Sequence, residues 1–430
     1  MSESATRNEG VEQAGPQPDA GDPPYLWPDY VATRLRAPKR PFVTMPHTLS
    51  ELTGPAFGED AVGPLDHDLT QQHDGEPIGQ RIVVAGRLLD SDGRPIRGQL
   101  VEVWQANAAG RYVHHVDQHP APLDPNFTGA GRCLTDDDGR YRFVTIKPGS
   151  YPWQNHDNAW RPAHIHFSVF GRAFTERLVT QMYFPDDPLF DFDPIFQSVR
   201  DPQARQRMVS RFDLDLTEPD WAHGFAFDIV VGGRARAPLS APAESPPGLT
   251  PSQTVGPFFG FALFERVGNE LVAPDAPGAI TIAGMVLDGN GDVVPDAIVE
   301  VWQANAAGRY ADPADPRHDL PLAEGFTGFG RSDTESGRFS FVTIKPGRVP
   351  GPDGSLQAPH LDVAVFARGL LDRLVTRIYF PDEAEANAAD RLLATLDPAD
   401  AATLVAVADG DALRFDITLQ GDRQTVFLAV

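Results

Sequence analysis

A single cysteine, Cys133, in 430 residues leaves no partner for an internal disulfide. The fold must therefore rest on packing and hydrogen bonding, which fits a cytoplasmic home. Long apolar runs are missing too, so no segment reads as a membrane span. The leading stretch "MSESATRNEGVEQAGPQPDAGDPP" lacks the apolar centre of a secretory leader; its composition predicts a flexible tail over residues 1–20. Basic residues are scarce, with 36 Lys and Arg against 60 Asp and Glu and a formal charge of −24. No basic patch interrupts the acidity, which excludes nucleic acid and an anionic membrane surface as partners. Helical patterning is sparse as well, and 201–212 and 383–396 are its best candidates.

What the chain has in abundance is proline (41) and glycine (39), a composition that favours turn-rich β architecture. It also repeats itself. "VEVWQANAAGRY" stands at 101–112 and, unchanged, at 299–310; "RFVTIKPG" at 142–149 returns as "SFVTIKPG" at 340–347. "RLVTQMYFPDD" (177–187) returns as "RLVTRIYFPDE" (373–383), in the same order. Such a pattern marks a duplicated domain. The expected boundaries are a unit over 21–232, a Pro/Ala-rich linker over 233–249 and a second unit over 250–430. Within each unit, strand-length segments such as "RIVVAGRLLD" alternate with turns such as "DSDGRP", "DDDGRY" and "DGNGDV". The expected fold is all-β dominated: two homologous β-sandwiches with few short helices.

Overlaying the copies shows where they differ. Tyr112 matches Tyr310 and His164 matches His360, but Tyr151 matches Val349 and His166 matches Asp362. Residues two apart on a strand share a face, so His164 and His166 can both reach one ion. Two imidazoles alone suit zinc, copper, nickel or iron. Two phenols narrow the choice, because a phenol with a free pKa of about 10 ionises near neutrality only on a strongly acidic metal such as ferric iron. The bland reading stands beside this one: Tyr112 and His164 persist in the second copy without a full ligand set, so polar core residues would also account for them. Spacing alone leaves both readings open.

The motifs "VWQANAAGRY", "DPNFTGAGRCLTD", "IKPGSYPW" and "WRPAHIHF" are long and specific, and with them the chain closely resembles the intradiol ring-cleaving dioxygenases. In the two-subunit members, a β subunit carries non-haem ferric iron and a related α subunit does not; here residues 20–232 resemble the first and 250–430 the second, fused in that order. The resemblance implies that Tyr112, Tyr151, His164 and His166 hold one Fe(III) per chain, and that Tyr151 leaves the metal when substrate binds. Arg161 would stabilise the developing carbanion, with Trp153 and Gln181 lining the pocket. The implied substrates are protocatechuate (3,4-dihydroxybenzoate) and O2, and the implied product is 3-carboxy-cis,cis-muconate, in aromatic compound catabolism. A donor-rich wall for the substrate carboxylate would come from Tyr30 and Arg36 of the first half and Thr254, Gly256, Pro257 and Arg368 of the second. Phe258 stands where the family often has tyrosine. The resemblance further implies a homo-oligomer of the fused chain, and a degenerate site in the second copy, where Tyr310, His360 and Asp362 would form a buried hydrogen-bonded cluster that serves structure or, alternatively, a weak three-ligand metal set. His67, His73, His114, His115, His119 and His156 are expected at the surface. The rival readings are an intradiol enzyme for catechol or hydroxyquinol, and a non-catalytic β-sandwich that binds aromatic acids.

Overall fold

The computed structural model describes residues 12–14, 21–232, 247–322 and 325–430; most of the expected linker, and the expected tail apart from Glu12–Ala14, lie outside them. In the first half, Leu178–Tyr183, His164–Val169, Leu100–Gln105 and Ala130–Leu134 form one antiparallel sheet in that order. The facing sheet is built on Arg81–Asp90, which pairs antiparallel with Arg140–Ile146 and parallel with His223–Ala226 and Ile229–Val231. The second half repeats the plan. Leu374–Tyr379, His360–Ala367, Ala297–Trp302 and Phe329–Asp333 form one sheet. It faces Phe339–Ile344, Ala279–Gly284, Ala412–Arg414 and Val407–Asp409.

Strand periodicity decides which residues can become a site. On His164–Val169, Ile165, Phe167 and Val169 enter the core between the first half's two sheets. His164, His166 and Ser168 therefore point out of that core. That outer face is buried too, because the two halves lie with these sheets back to back. Leu100 and Trp104 of the first half meet Ile298, Trp302, Ala364 and Phe366 of the second in one apolar cluster.

Charge is buried at the same junction. Arg331 of the second half makes a paired contact with Glu102 of the first (3.0 and 3.1 Å), and Arg177 of the first does the same with Glu300 of the second (both 2.9 Å). Arg331 also reaches Glu300 at 2.9 Å, closing the four into one chain. Burial alone would raise the Glu300 carboxyl; Arg177 and Arg331 outweigh it and hold it below its ordinary value.

The leading segment of each half lies on the other half. Phe42–Thr44 pairs with Leu428–Ala429 and so extends the second half's sheet. In return, Thr250 N bonds Val230 O and Gln253 N bonds Val179 O, each at 2.9 Å, laying the start of the second half on the first.

The helical expectations need correction. Pro202–Gln206 is helical but stops there, and Arg211–Phe212 is already strand. The stretch 383–396 is two helices, Ala384–Ala389 and Arg391–Thr395, broken where Asp390 turns extended and caps the second through Leu392 and Leu393. A side-chain carboxylate offers the first-turn N–H groups a partner that a continuous helix would not. In the "DGNGDV" turn, Gly291 supplies the positive φ (84°).

Candidate metal centre

Four buried side chains converge in the first half. His164 and His166 come from one strand; Tyr151 opens the hairpin strand Tyr151–Trp153, paired with Ala159–Arg161; Tyr112 follows a turn at Gly110. The Tyr151 hydroxyl lies 3.4 Å from His164 Nε2. Ring centroids are 4.9 Å apart for His164 and His166, and 5.6 Å for Tyr112 and Tyr151. Trp104 stacks on His166 at 4.7 Å and 6° and so sets the plane of that ring.

The donor set suits a metal that binds phenolate and imidazole. His164 Nδ1 lies 2.7 Å from the Pro162 carbonyl and donates to it, which leaves the Nε2 lone pair facing the cluster. Among the described residues, the buried Tyr112 hydroxyl finds no hydrogen bond of normal geometry, and His166 Nδ1 finds no partner either. Orphaned buried polar atoms call for a reason, and a bound ion supplies one. Burial, Arg161 and His166 push His164 well below its ordinary pKa; burial and Arg161 do the same to His166. Both shifts favour the neutral imidazole, the form able to ligate a metal. Burial pushes the Tyr112 and Tyr151 phenols up, so ionising them here needs a cation to receive the oxygen.

Arg161 borders this cluster. Its Nη1 is 3.4 Å from His164 Nε2, while Nη2 donates to Gln181 Oε1 (2.7 Å), Tyr183 Oη (3.0 Å) and Asp193 Oδ2 (2.9 Å). The Trp153 ring lies 5.6 Å from the guanidinium carbon. Gln181 is opposite His166 in the sheet and donates to the Thr254 carbonyl at 2.9 Å. The second half therefore closes the site: Gly256, with φ of 71°, sits so close that an added Cβ would lie 3.5 Å from His166 Cε1. Pro257 follows it, and the Phe258 ring lies 4.8 Å from that of Tyr112.

The expected carboxylate wall is more mixed. Tyr30 is buried, with its ring 5.5 Å from Trp153. Burial raises its phenol, with Thr254, Arg368 and Arg161 partly offsetting that. Arg36 and Arg368 both bind Asp296, Arg368 at 2.9 Å, and Arg36 also bonds the Arg368 carbonyl. Arg36 is buried in these contacts and ties the leading segment to the second half; Arg368 is half exposed. His67, His73, His115 and His156 are exposed as expected. His119 and His114 are half-buried instead, His114 against Phe258 at 5.7 Å.

The second copy uses the same positions differently. Ser50 Oγ accepts from the Tyr310 hydroxyl at 2.8 Å and lies 2.9 Å from His360 Nε2. A hydroxyl from the first half's leading segment thus links the two side chains that match Tyr112 and His164. Asp362 pairs with Arg377 at 2.9 Å, and Glu51 pairs with the same guanidinium. Arg377 matches Gln181, and Gln357 matches Arg161, so the arginine and the amide have exchanged places while staying bonded (2.8 Å). Sequence reasoning passed over Asp193, Tyr183, Trp104 and the Ser50–Glu51 insertion. A signal for the last was present: "HTLSELTGPAFG" (47–58) aligns with "LTPSQTVGPFFG" (249–260), pairing Ser50 with Ser252 and Glu51 with Gln253.

Comparison with known proteins defines the class first. A family model described as Dioxygenase matches residues 52–233 and 267–421. The chain belongs to this family, the intradiol dioxygenases, and is an oxidoreductase. A second model, described as the N terminus of the protocatechuate 3,4-dioxygenase β subunit, matches 16–48. The first half is similar to the protocatechuate 3,4-dioxygenase β chain of Burkholderia cepacia, at 60% identity over 50% of this chain and 93% of that one. The rest is similar to the α chain from Pseudomonas putida, at 42% identity over 41% of this chain and 94% of that one. A hydroxyquinol 1,2-dioxygenase from Rhizobium sp. is 35% identical over 30% of this chain and 50% of its own length. The arrangement is a fused β–α chain.

Proposed function

We propose that the chain cleaves protocatechuate between its two hydroxyl-bearing carbons with O2, giving 3-carboxy-cis,cis-muconate. Both oxygen atoms enter the product, so no external reductant is needed. The observation that carries this reading is the convergence of Tyr112, Tyr151, His164 and His166 in the first copy, against a second copy where Val349 and Asp362 replace two of them. These four residues would hold one ferric ion, which supplies Lewis acidity and a template for the catechol oxygens.

The chain's own residues supply the rest. Tyr151, whose hydroxyl lies 3.4 Å from His164 Nε2, would offer, as a phenolate held by the cation, the oxygen that accepts a substrate proton. Arg161 cannot deprotonate at working pH and acts as a fixed positive charge for the developing anion. Trp153 and Tyr30 provide aromatic walls for the ring, and Gln181 holds Arg161 and the Thr254 carbonyl in place. Arg368, paired on one side with Asp296, is the cation open to the substrate carboxylate. Arg36 acts beside it as the brace that fixes Asp296 and the Arg368 backbone. A soluble cytoplasmic homo-oligomer is the form we infer; among the described residues no helix is long and apolar enough to cross a membrane.

A visible spectrum of the purified chain, with and without protocatechuate under anaerobic conditions, tests the reading. A red-brown phenolate-to-iron band that shifts with protocatechuate, and turnover of protocatechuate above catechol and hydroxyquinol, is the expected result. A chain that stays colourless after ferric loading would overturn it.

A further inference from the structure

Resting on the iron reading above, we propose that Asp193 is a positioning residue of the metal centre. It holds Arg161 with one edge turned to the ligands, and it supplies the counter-charge that lets a guanidinium and a metal cation share one buried site.

Asp193 is fully buried. Its Oδ2 accepts from Arg161 Nε at 3.3 Å and from Nη2 at 2.9 Å. Gln181 and Tyr183 complete the hold on Nη2, so Nε and Nη2 are spent on protein acceptors. Nη1 alone is left facing His164. An uncompensated guanidinium against a ligand nitrogen would oppose any cation held there, because charges interact strongly where water is excluded. Asp193 is the carboxylate that contacts Arg161 and offsets it.

The duplication contains its own control. Asp390 holds the matching place in the second copy and does the same fold work: it caps a helix through Leu392 N and Leu393 N, as Asp193 caps one through Ile195 N at 3.1 Å. Among the described residues, no arginine pairs with Asp390. It takes the Ala358 N–H (2.9 Å) and the Tyr379 hydroxyl (3.2 Å), because Gln357 stands where Arg161 would be. Capping is therefore common to both copies. The ion pair belongs to the copy with the ligand set.

Asp193→Asn separates the two roles: its single amide oxygen keeps the cap to the Ile195 N–H, while its NH2 group stands where Oδ2 took the guanidinium, so Arg161 loses both the counter-charge and its acceptor there. The full chain, loaded with iron, would be compared with Asp193→Asn and with Asp390→Asn. For Asp193→Asn we expect a Tm several degrees below the parent, kcat lower by about 10- to 100-fold with KM changed less than about threefold, and iron lost to a chelator at least about tenfold faster. Asp390→Asn should leave iron release and kcat within about twofold. Parental iron release and kcat in Asp193→Asn would overturn the inference, as would losses in both variants that simply follow Tm. A parent with no phenolate-to-iron band would overturn the iron reading itself, a result visible before any variant is made.

Discussion

Replacing Arg331 with methionine tests how the two halves are held. Arg331 donates to Glu102 through two bonds, to Glu300 at 2.9 Å and to the Leu263 carbonyl at 2.7 Å, all without solvent. After the change, Glu300 keeps its paired contact with Arg177, whereas Glu102 keeps, among the described residues, only the Ser168 hydroxyl at 2.7 Å. Glu102 must then stay ionised without a counter-charge or take up a proton. An ordinary glutamate costs about 4 kcal/mol to protonate at pH 7 and about 1 kcal/mol at pH 5. Breaking a buried pair from one side costs about 3–5 kcal/mol by other measures, so the two agree. Methionine fills much of the arginine's volume, which keeps a cavity term small. Denaturant unfolding read by tryptophan fluorescence is the assay, because Trp104 and Trp302 flank the junction. We expect a loss of about 4 kcal/mol at pH 7, mostly relieved at pH 5, and mostly recovered when Glu102→Gln is added. A loss under about 1 kcal/mol at pH 7, or one that neither pH nor the second change relieves, would refute the reasoning.

Ser50→Ala removes the hydroxyl between Tyr310 and His360 and leaves two buried polar groups without partners. It should cost about 2–3 kcal/mol in unfolding while iron analysis still finds one ion per chain; a second ion would show that only the insertion had kept the second copy empty. Burial pushes the Asp362 carboxyl up to about 7, with Arg377 opposing and Glu51, which shares that arginine, adding to the rise. Because the folded state then binds the proton more tightly than the unfolded one, the associated stability is full below about pH 4. It is lost as pH climbs to about 7, by at most about 4 kcal/mol. Asp362→Asn should lack this slope, so its Tm should gain on the parent between pH 4 and 7; parallel Tm curves would refute the assignment.

Much of this protein was legible without coordinates. The duplication, the strand-and-turn patterning and the four candidate ligand positions are local or repeated features, and a period of two places His164 and His166 on one face whatever lies beyond it. Comparing the copies even located the difference that matters, Tyr151 and His166 against Val349 and Asp362. The helical stretches misled because helix propensity says nothing of a carboxylate that prefers to cap, as Asp390 does.

Other features have no local signature. That Arg161 is held by Asp193, that Arg36 is bound up with Asp296, and that Glu102 finds Arg331 across 229 positions depend on which surfaces meet. The same is true of the exchange of leading segments, which brings Gly256 to His166 in one copy and Ser50 to His360 in the other. Residue type and short-range spacing alone were enough for the β fold of each half and for the donor chemistry of the four candidate ligands. The pairing of the buried charges, and the Ser50 hydroxyl that links Tyr310 to His360 in the second copy, were set instead by tertiary packing, because they depend on contacts between segments far apart in the chain.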